Sequence, residues 1–219
     1  MIGVVIPAHN EEAFLATCLG AVCIAAAHPS LGGEEVCIIV ALDSCTDRSH
    51  AIARTLCIET IVVAERNVGK ARAAGADLLL ARGARWLAFT DADSVVAHDW
   101  LITQLMLDVE AVCGCVSVHV DDWQMHPTRT REIWQRRYQP IDGHRHVHGA
   151  NLGVAAHAYQ RAGGFPPLAC DEDVALVNML IVTGARIAWS AAPRVTTSGR
   201  LDSRARGGFG DTLAAWSTE

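Results

Sequence analysis

The feature of this 219-residue chain that most constrains its fold is an alternation. Short apolar runs at 2–6, 36–42, 58–64 and 86–90 are separated by stretches of helical periodicity at about 48–56 and 69–82. Apolar runs of strand length read as strands buried on both faces, and strands alternating with helices make βαβ units with parallel pairing. Only 5% of residues are aromatic although 51% are apolar, so the core is built from the small aliphatic side chains that such packing favours. The expectation is one Rossmann-like α/β domain with a mostly parallel central sheet flanked by helices. A chain of this length is too short for two ordinary domains.

The polar clusters fall just after the expected strands, at 7–10, 43–47, 65–70 and 91–94. In an open parallel sheet, ligands bind outside the carboxyl ends of the strands, so four segments distant in sequence are expected to meet. Asn10 is expected to cap the first helix, with Glu11 and Glu12 in its first turn and Phe14, Cys18, Val22 and Ala26 on its buried face. After Val120 the alternation breaks. Residues 121–145 are rich in Trp, Arg, His and Pro, carry a helix near 129–138, and read as an inserted substrate segment. The pattern resumes with a strand at 151–155, a turn at 163–167, a helix from Glu172, a strand at 186–190 and a Gly/Arg-rich tail.

A formal charge of -6 argues against a general electrostatic grip on nucleic acid or an anionic membrane. The eight cysteines show no C-x-x-C pair, which favours free thiols in a reducing cytoplasm over disulfides or zinc. Residues 13–27 are apolar enough for a signal-peptide core, but acidic residues precede them where a basic region belongs, so they read as a core helix. No run approaches the roughly 18 apolar residues of a membrane span. Membrane association is expected to be peripheral or through a partner.

Asp91-Ala92-Asp93 closes the fourth apolar run. Two carboxylates in this position can hold a hard divalent cation that bridges phosphate oxygens, or can form a simple turn or helix cap. His144, His146 and His148 alternate, so in a strand they share one face. Three imidazoles can bind a transition metal, but without a carboxylate or thiol to complete a ligand set a polar, acceptor-facing edge is the better reading. His148 adjoins the strand entering the site, where it is expected to touch donor phosphates, metal or acceptor.

Taken in order, VVIPAHNEE, ALDSCTDRS, NVGKARAAG, FTDADS, HGANLGV, GGFP and DEDVAL form a series that resembles glycosyltransferase family 2, with the GT-A fold. The resemblance runs from Val4 to about Gly210. It implies that residues 1–95 form a nucleotide-sugar-binding half and 96–219 an acceptor-binding and catalytic half. By the same resemblance Pro7, Ala8, His9 and Glu11 line the base and ribose, and Asp43 accepts a hydrogen bond from the base. Lys70 and Arg72 lie near the nucleotide, Asp91 and Ala92 contact the nucleoside, and Asp93 coordinates Mn²⁺ or Mg²⁺, with His148 as a further metal or acceptor contact. Glu172 and Asn151 face the acceptor, and Asp173 is the base. Each has a plainer reading: Pro7 as a strand stop, Asp43 as a turn residue, Lys70 and Arg72 as solvated helix charges, Glu172 and Asp173 as first-turn acids. A helix N-terminus is expected to keep Asp173 ionised, as a general base requires. Arg200, with Arg204 and Arg206, is expected to close over the diphosphate.

The implied activity is that of a hexosyltransferase-type enzyme. It inverts the anomeric centre, needs a metal, and passes sugar to a small-molecule, glycan or lipid-linked acceptor. Processive relatives carry Q-x-x-R-W after the acidic pair, whereas here Trp134-Gln135-Arg136-Arg137-Tyr138 lies before it with the wrong spacing, so single transfer is expected. Asp171 adds a third acid before the pair. A sugar nucleotidyltransferase is the rival enzyme, but its glycine-rich basic loop is replaced by Pro7-Ala8-His9-Asn10. A P-loop would need Gly where Ala64 stands and Ser or Thr where Ala71 stands, and a dehydrogenase would need G-x-G-x-x-G after a strand. A catalytically inactive nucleotide-sugar-binding module is the rival from another class.

Overall fold

In the computed structural model, which describes residues 1–202 and 208–217, the apolar runs are strands, buried at 2–6 and 86–89 but not in the edge strand at 59–63, where Glu59 and Val62 are exposed. Six of the seven residues of β1 (Ile2–Ala8) have no significant exposure. The chain continues through α1 (Leu15–Ala26), β2 (Val36–Asp43), α2 (Ser49–Thr55), β3 (Glu59–Val63), α3 (Val68–Ala81) and β4 (Trp86–Phe89). The second half adds β5 (Ser94–Val96), α4 (Trp100–Met106), β6 (Ala111–Val118), α5 (Thr128–Arg137), β7 (Leu152–Ala155), α6 (Ala156–Arg161), α7 (Glu172–Val182), β8 (Ile187–Thr197) and α8 (Phe209–Trp216).

The eight strands form one sheet in the order β3-β2-β1-β4-β7-β6-β8-β5. Strands β1 to β4 pair in parallel, as expected of βαβ units. The second half makes the sheet mixed: β7 runs antiparallel to both β4 and β6, β8 is parallel to β6, and β5 is antiparallel to β8. The carboxyl ends of β1, β2, β4, β6 and β8 therefore share one edge. Because β7 is reversed, the segment that precedes it, 148–151, reaches that edge too. Helix α3 packs on β1 and β2, α4 on β8 and α6 on β7, around a core whose largest fully buried side chains include Trp100 and Phe89.

Two local expectations are corrected. Asn10 does not cap α1. It sits at φ 55°, a left-handed conformation that Asn tolerates, and its side-chain oxygen accepts from the Thr46 N–H at 2.8 Å. The helix starts after Phe14 without a side-chain cap and buries Leu15, Cys18, Leu19, Val22 and Ala25, while Phe14 stays partly exposed. The last long strand also runs well past Ser190, through a register shift opposite Gly114 and Cys115. There the Asp142 carboxylate accepts from Ser190 Oγ and Ala191 N–H, which pairs the N–H that the register shift takes out of the ladder.

Helix α3 packs closely on the 166–168 loop. Gly69 in the first turn of α3 donates its N–H to the Leu168 carbonyl at 3.1 Å, and a Cβ there would collide with the carbonyls of Pro166 and Leu168. Asn67 caps α3 by accepting from the Lys70 N–H at 2.9 Å and donates to the Pro167 carbonyl at 3.0 Å. All eight cysteines are free, with Cys18, Cys113 and Cys115 buried. Among the described residues no helix is long and apolar enough to cross a membrane.

Candidate active site

A cleft of about 820 Å³ opens at the shared strand edge. On one side Pro7, Ala8 and His9 end β1, and His9 Nδ1–H donates to the Asp43 carbonyl at 2.6 Å. Asp43 is buried and organises a loop. Its Oδ1 accepts from the N–H groups of Glu65 and Arg66 and from Ser44 Oγ, and its Oδ2 from the N–H of Asn67, at 2.7 to 3.0 Å. Burial works against its charge, but the Asn67, Arg66 and Glu65 donors together hold it below the usual carboxylate range. Asp43 is thus more than a local turn residue: it clamps the loop that follows β3. Asp43→Ala leaves three backbone donors without their acceptor and should cost about 1 to 3 kcal/mol of stability. Melting and nucleotide titration should fall together, and a variant with native melting would show that the clamp contributes nothing.

In the middle of the cleft, Asp93 and Glu11 share one cation. Arg200 grips Glu11 through both terminal nitrogens at 2.6 and 2.7 Å and reaches Asp93 Oδ2 at 3.0 Å. Its segment is held by Asp122, whose Oδ2 accepts from the Gly199 N–H at 2.7 Å, and by His126, which donates to the Gly199 carbonyl. Burial first, then the neighbouring Asp91 and Glu11 charges, push the Asp93 carboxyl up to about 7 in spite of Arg200. This is a crowd of negative charge that one guanidinium only partly offsets. Arg204 and Arg206 lie outside the described residues.

The other wall carries the acidic pair. Glu172 is buried and ion-paired with Arg72, which also pairs with Asp91. Asp173 accepts from the Gly149 N–H at 2.6 Å and from the Val174 N–H at 2.8 Å. The expected ionising effect of the helix terminus is outweighed. Burial raises the Asp173 carboxyl above its ordinary range, although Arg72 and the two N–H donors pull it down. His148 lies beside it, its Nε2 2.9 Å from Tyr138 Oη. Burial, then the charges of His146 and His144, push this imidazole down to about 3, so it is neutral at physiological pH. The three alternating histidines stack in succession, with His146 also stacked on Tyr138 at 4.1 Å and Tyr138 on Trp134 at 3.9 Å.

Of the residues singled out in the sequence, Pro7, Ala8, His9, Glu11, Asp43, Arg72, Asp91, Ala92, Asp93, His148, Glu172, Asp173 and Arg200 all line this one cleft. Lys70 and Asn151 are not among its lining. Lys70 is exposed and paired with Glu65 at 2.5 Å. Asn151 is fully buried: its Oδ1 accepts from Trp100 Nε1, and its Nδ2 donates to the Cys115 and Pro193 carbonyls. Its polar atoms all serve the core. Asn151→Ala should cost at least about 3 kcal/mol, since three buried partners lose their bonds; unchanged urea unfolding with a raised acceptor KM would return it to the acceptor site. The sequence places 65–70 and the 121–145 segment near the site, but the particular contacts of Trp134, Tyr138 and the 65–67 N–H groups come from the fold.

This sheet order and cleft are those of the GT-A-like nucleotide-sugar enzymes. The profile of "Glycosyl transferase family 2" matches residues 3–161, and the chain belongs to that family of transferases. No curated protein matches it. Among solved structures it is similar to S. aureus TarS 1-349 in complex with UDP-GlcNAc, at 14% identity and TM-score 0.69, covering 95% of this chain and 61% of that one. It is similar to the mannosyltransferase PcManGT of Pyrobaculum calidifontis in complex with GDP-Man and Mn²⁺, at 16% identity and TM-score 0.66, covering 93% and 58%. A third is glucosyl-3-phosphoglycerate synthase of Mycobacterium tuberculosis with Mn²⁺, UDP and phosphoglyceric acid, at 19% identity and TM-score 0.61, covering 100% and 75%. The chain thus spans about three fifths of the first two relatives' length.

Proposed function

We propose that the chain transfers one sugar from a nucleotide-diphosphate sugar to an acceptor hydroxyl, in a single displacement that inverts the anomeric carbon. The observation that carries this reading is the meeting of Asp91, Asp93 and Asp173 in one cleft from segments far apart in the chain. Family membership and the donors named in the three similar structures support it. The base and ribose lie against Pro7, Ala8, His9 and the Asp43 clamp, the nucleoside against Asp91 and Ala92, and Arg200, which lines the cleft, supplies positive charge to the diphosphate. Residues 1–95 supply most of the donor contacts and 96–219 the acceptor side, with Arg200 reaching back to the donor.

The described residues hold no cluster of three His, Cys, Asp or Glu side chains that could alone bind a metal. The donor chemistry nevertheless fits Mn²⁺ or Mg²⁺. Asp93 is a hard oxygen donor in a crowd of unbalanced negative charge, and diphosphate oxygens complete such a shell. Asp93 would hold the cation, with His148 Nδ1 the next candidate because its Nε2 is engaged by Tyr138. When bound, the cation offsets the charge that develops on the leaving diphosphate. The acceptor sits between Glu172, His148 and Asp173. Its oxygen forms the new bond to the anomeric carbon as the bond to the diphosphate oxygen breaks, and its proton passes to the Asp173 carboxylate. The free thiols support a reducing, cytoplasmic setting.

The test is turnover of UDP-, GDP-, CDP- and dTDP-sugars, guided by thermal shift with and without Mn²⁺. The product should carry the anomeric configuration opposite to the donor's, read by NMR, because a single displacement with Asp173 as the base inverts the anomeric carbon, whereas a covalent intermediate would retain it. Retention would overturn the single-displacement mechanism. Stabilisation by a nucleotide sugar without turnover would favour an inactive binding module, and release of a sugar 1-phosphate from pyrophosphate and nucleotide sugar would favour a nucleotidyltransferase.

A further inference from the structure

An arginine on a helix is ordinarily a solvated charge, yet Arg72 of α3 is 3% exposed. One terminal nitrogen pairs with Asp91 Oδ1 and the other with Glu172 Oε1. The guanidinium carbon lies 5.6 Å from the centre of the Phe165 ring. A Cβ on residue 149 would overlap the guanidinium, so the plane of Arg72 lies directly on the Gly149 backbone. That same glycine donates the N–H that holds Asp173 Oδ2 at 2.6 Å. The Asp91 side chain is 36% exposed and lines the cleft, whereas Glu172 is buried and is the first residue of α7, adjacent to Asp173.

We propose that Arg72 is a positioning residue, whose one buried guanidinium ties the donor-side carboxylate Asp91 to the helix turn and glycine that aim the Asp173 carboxylate. The inference rests on Asp173 being the acceptor base. Besides the pull of its charge, Arg72 reaches Asp173 by two contacts: through Glu172, the preceding residue on α7, and through the Gly149 backbone against which the guanidinium packs. A planar fork with a permanent charge can serve two carboxylates at once, which a lysine ammonium cannot do with fixed geometry. Gly149 is required because the guanidinium uses the space of its side chain. Arg72 acts on the sugar only through these partners, in contrast to a direct contact with the nucleotide.

The experiment uses the full chain with Arg72→Lys and Arg72→Ala. Arg72→Lys keeps a charge near both carboxylates but loses the fork, so kcat should fall about 10²-fold, the scale of a small misplacement of a reacting group. Nucleotide diphosphate affinity, by titration, should stay within about threefold, as expected when the interaction lost acts on the chemical step. In Arg72→Ala, millimolar guanidinium should restore kcat in a saturable way and methylammonium should not. A lysine variant with native kcat and weakened nucleotide binding would overturn the proposal and make Arg72 a donor contact. So would a folded alanine variant that guanidinium does not rescue. Should the alanine variant fail to fold, the lysine variant decides alone. Asp173→Asn at the native rate refutes the base by itself, whereas an unaffected Arg72→Lys beside a slow Asp173→Asn removes only the coupling.

Discussion

With Asp173 replaced by asparagine, sugar transfer should fall about 10² to 10⁴-fold while the nucleotide still binds. The acceptor hydroxyl is a poor nucleophile until its proton has somewhere to go, and Asp173 is the carboxylate set against the Gly149 and Val174 N–H groups at the head of α7. Asparagine keeps the size and one acceptor oxygen but removes the basicity. Burial raises the native carboxyl above its ordinary range, which makes it a stronger base and carries a pH signature. The acid limb of kcat should lie above the usual carboxylate range, because falling pH protonates the base. That limb should vanish in the asparagine variant. Glu172→Gln is the matched control and should cost less, since Glu172 acts on the acceptor wall through Arg72. Transfer at the native rate by the Asp173 variant would refute the assignment, and a larger loss at Glu172 would move the base one residue back.

Asp93→Ala should abolish the part of nucleotide-diphosphate affinity that depends on Mn²⁺. Two phosphates and a carboxylate repel one another unless a cation lies between them. Burial first, and then the charges of Asp91 and Glu11, raise the Asp93 carboxyl to about 7, so a cation bound there would favour its ionised form over the proton. Removing Asp93 leaves Arg200 on Glu11 at 2.6 and 2.7 Å, so the fold around the cleft should survive and melting should change little. The measurement is nucleotide titration in chelator and in Mn²⁺ for both proteins. Equal affinity of the native chain in the two conditions would remove the metal from the reaction.

The parts of this molecule that were legible in the sequence are those governed by neighbours in the chain. The four parallel strands follow from apolar runs, and the cleft follows from the rule that polar residues just beyond strand ends converge. The misreadings have nonlocal causes. Asn10 looks like a cap, but Thr46 takes its side chain. The last strand looks finished at Ser190, because Ala-Ala-Pro reads as a stop until Asp142, 48 residues earlier, is seen to fill the shift. Asn151 sits beside residues of the site and looks like one of them, yet Trp100, Cys115 and Pro193 consume it. Arg72 is placed near the nucleotide by the family resemblance, but its burial between two carboxylates is not legible locally, because one of them lies 100 residues away. The family profile itself ends at 161, so the acidic pair at 172 and 173 rests on the GGFP and DEDVAL motifs and on its place in the cleft.

The contact of Gly69 with the carbonyls of Pro166 and Leu168 bears on how such proteins can be recombined. Donor choice and acceptor choice look separable along the chain, and exchanging one half between relatives is an obvious route to new products. At this seam α3 meets the 166–168 loop backbone to backbone at Gly69, with only the Asn67 amide bridging to Pro167 beside it. A hybrid that brings any larger residue to position 69 would push the 166–168 loop outward, and with it the start of the helix that carries Asp173. Grafted halves would therefore need to be selected as pairs that match at this glycine before their pockets are compared.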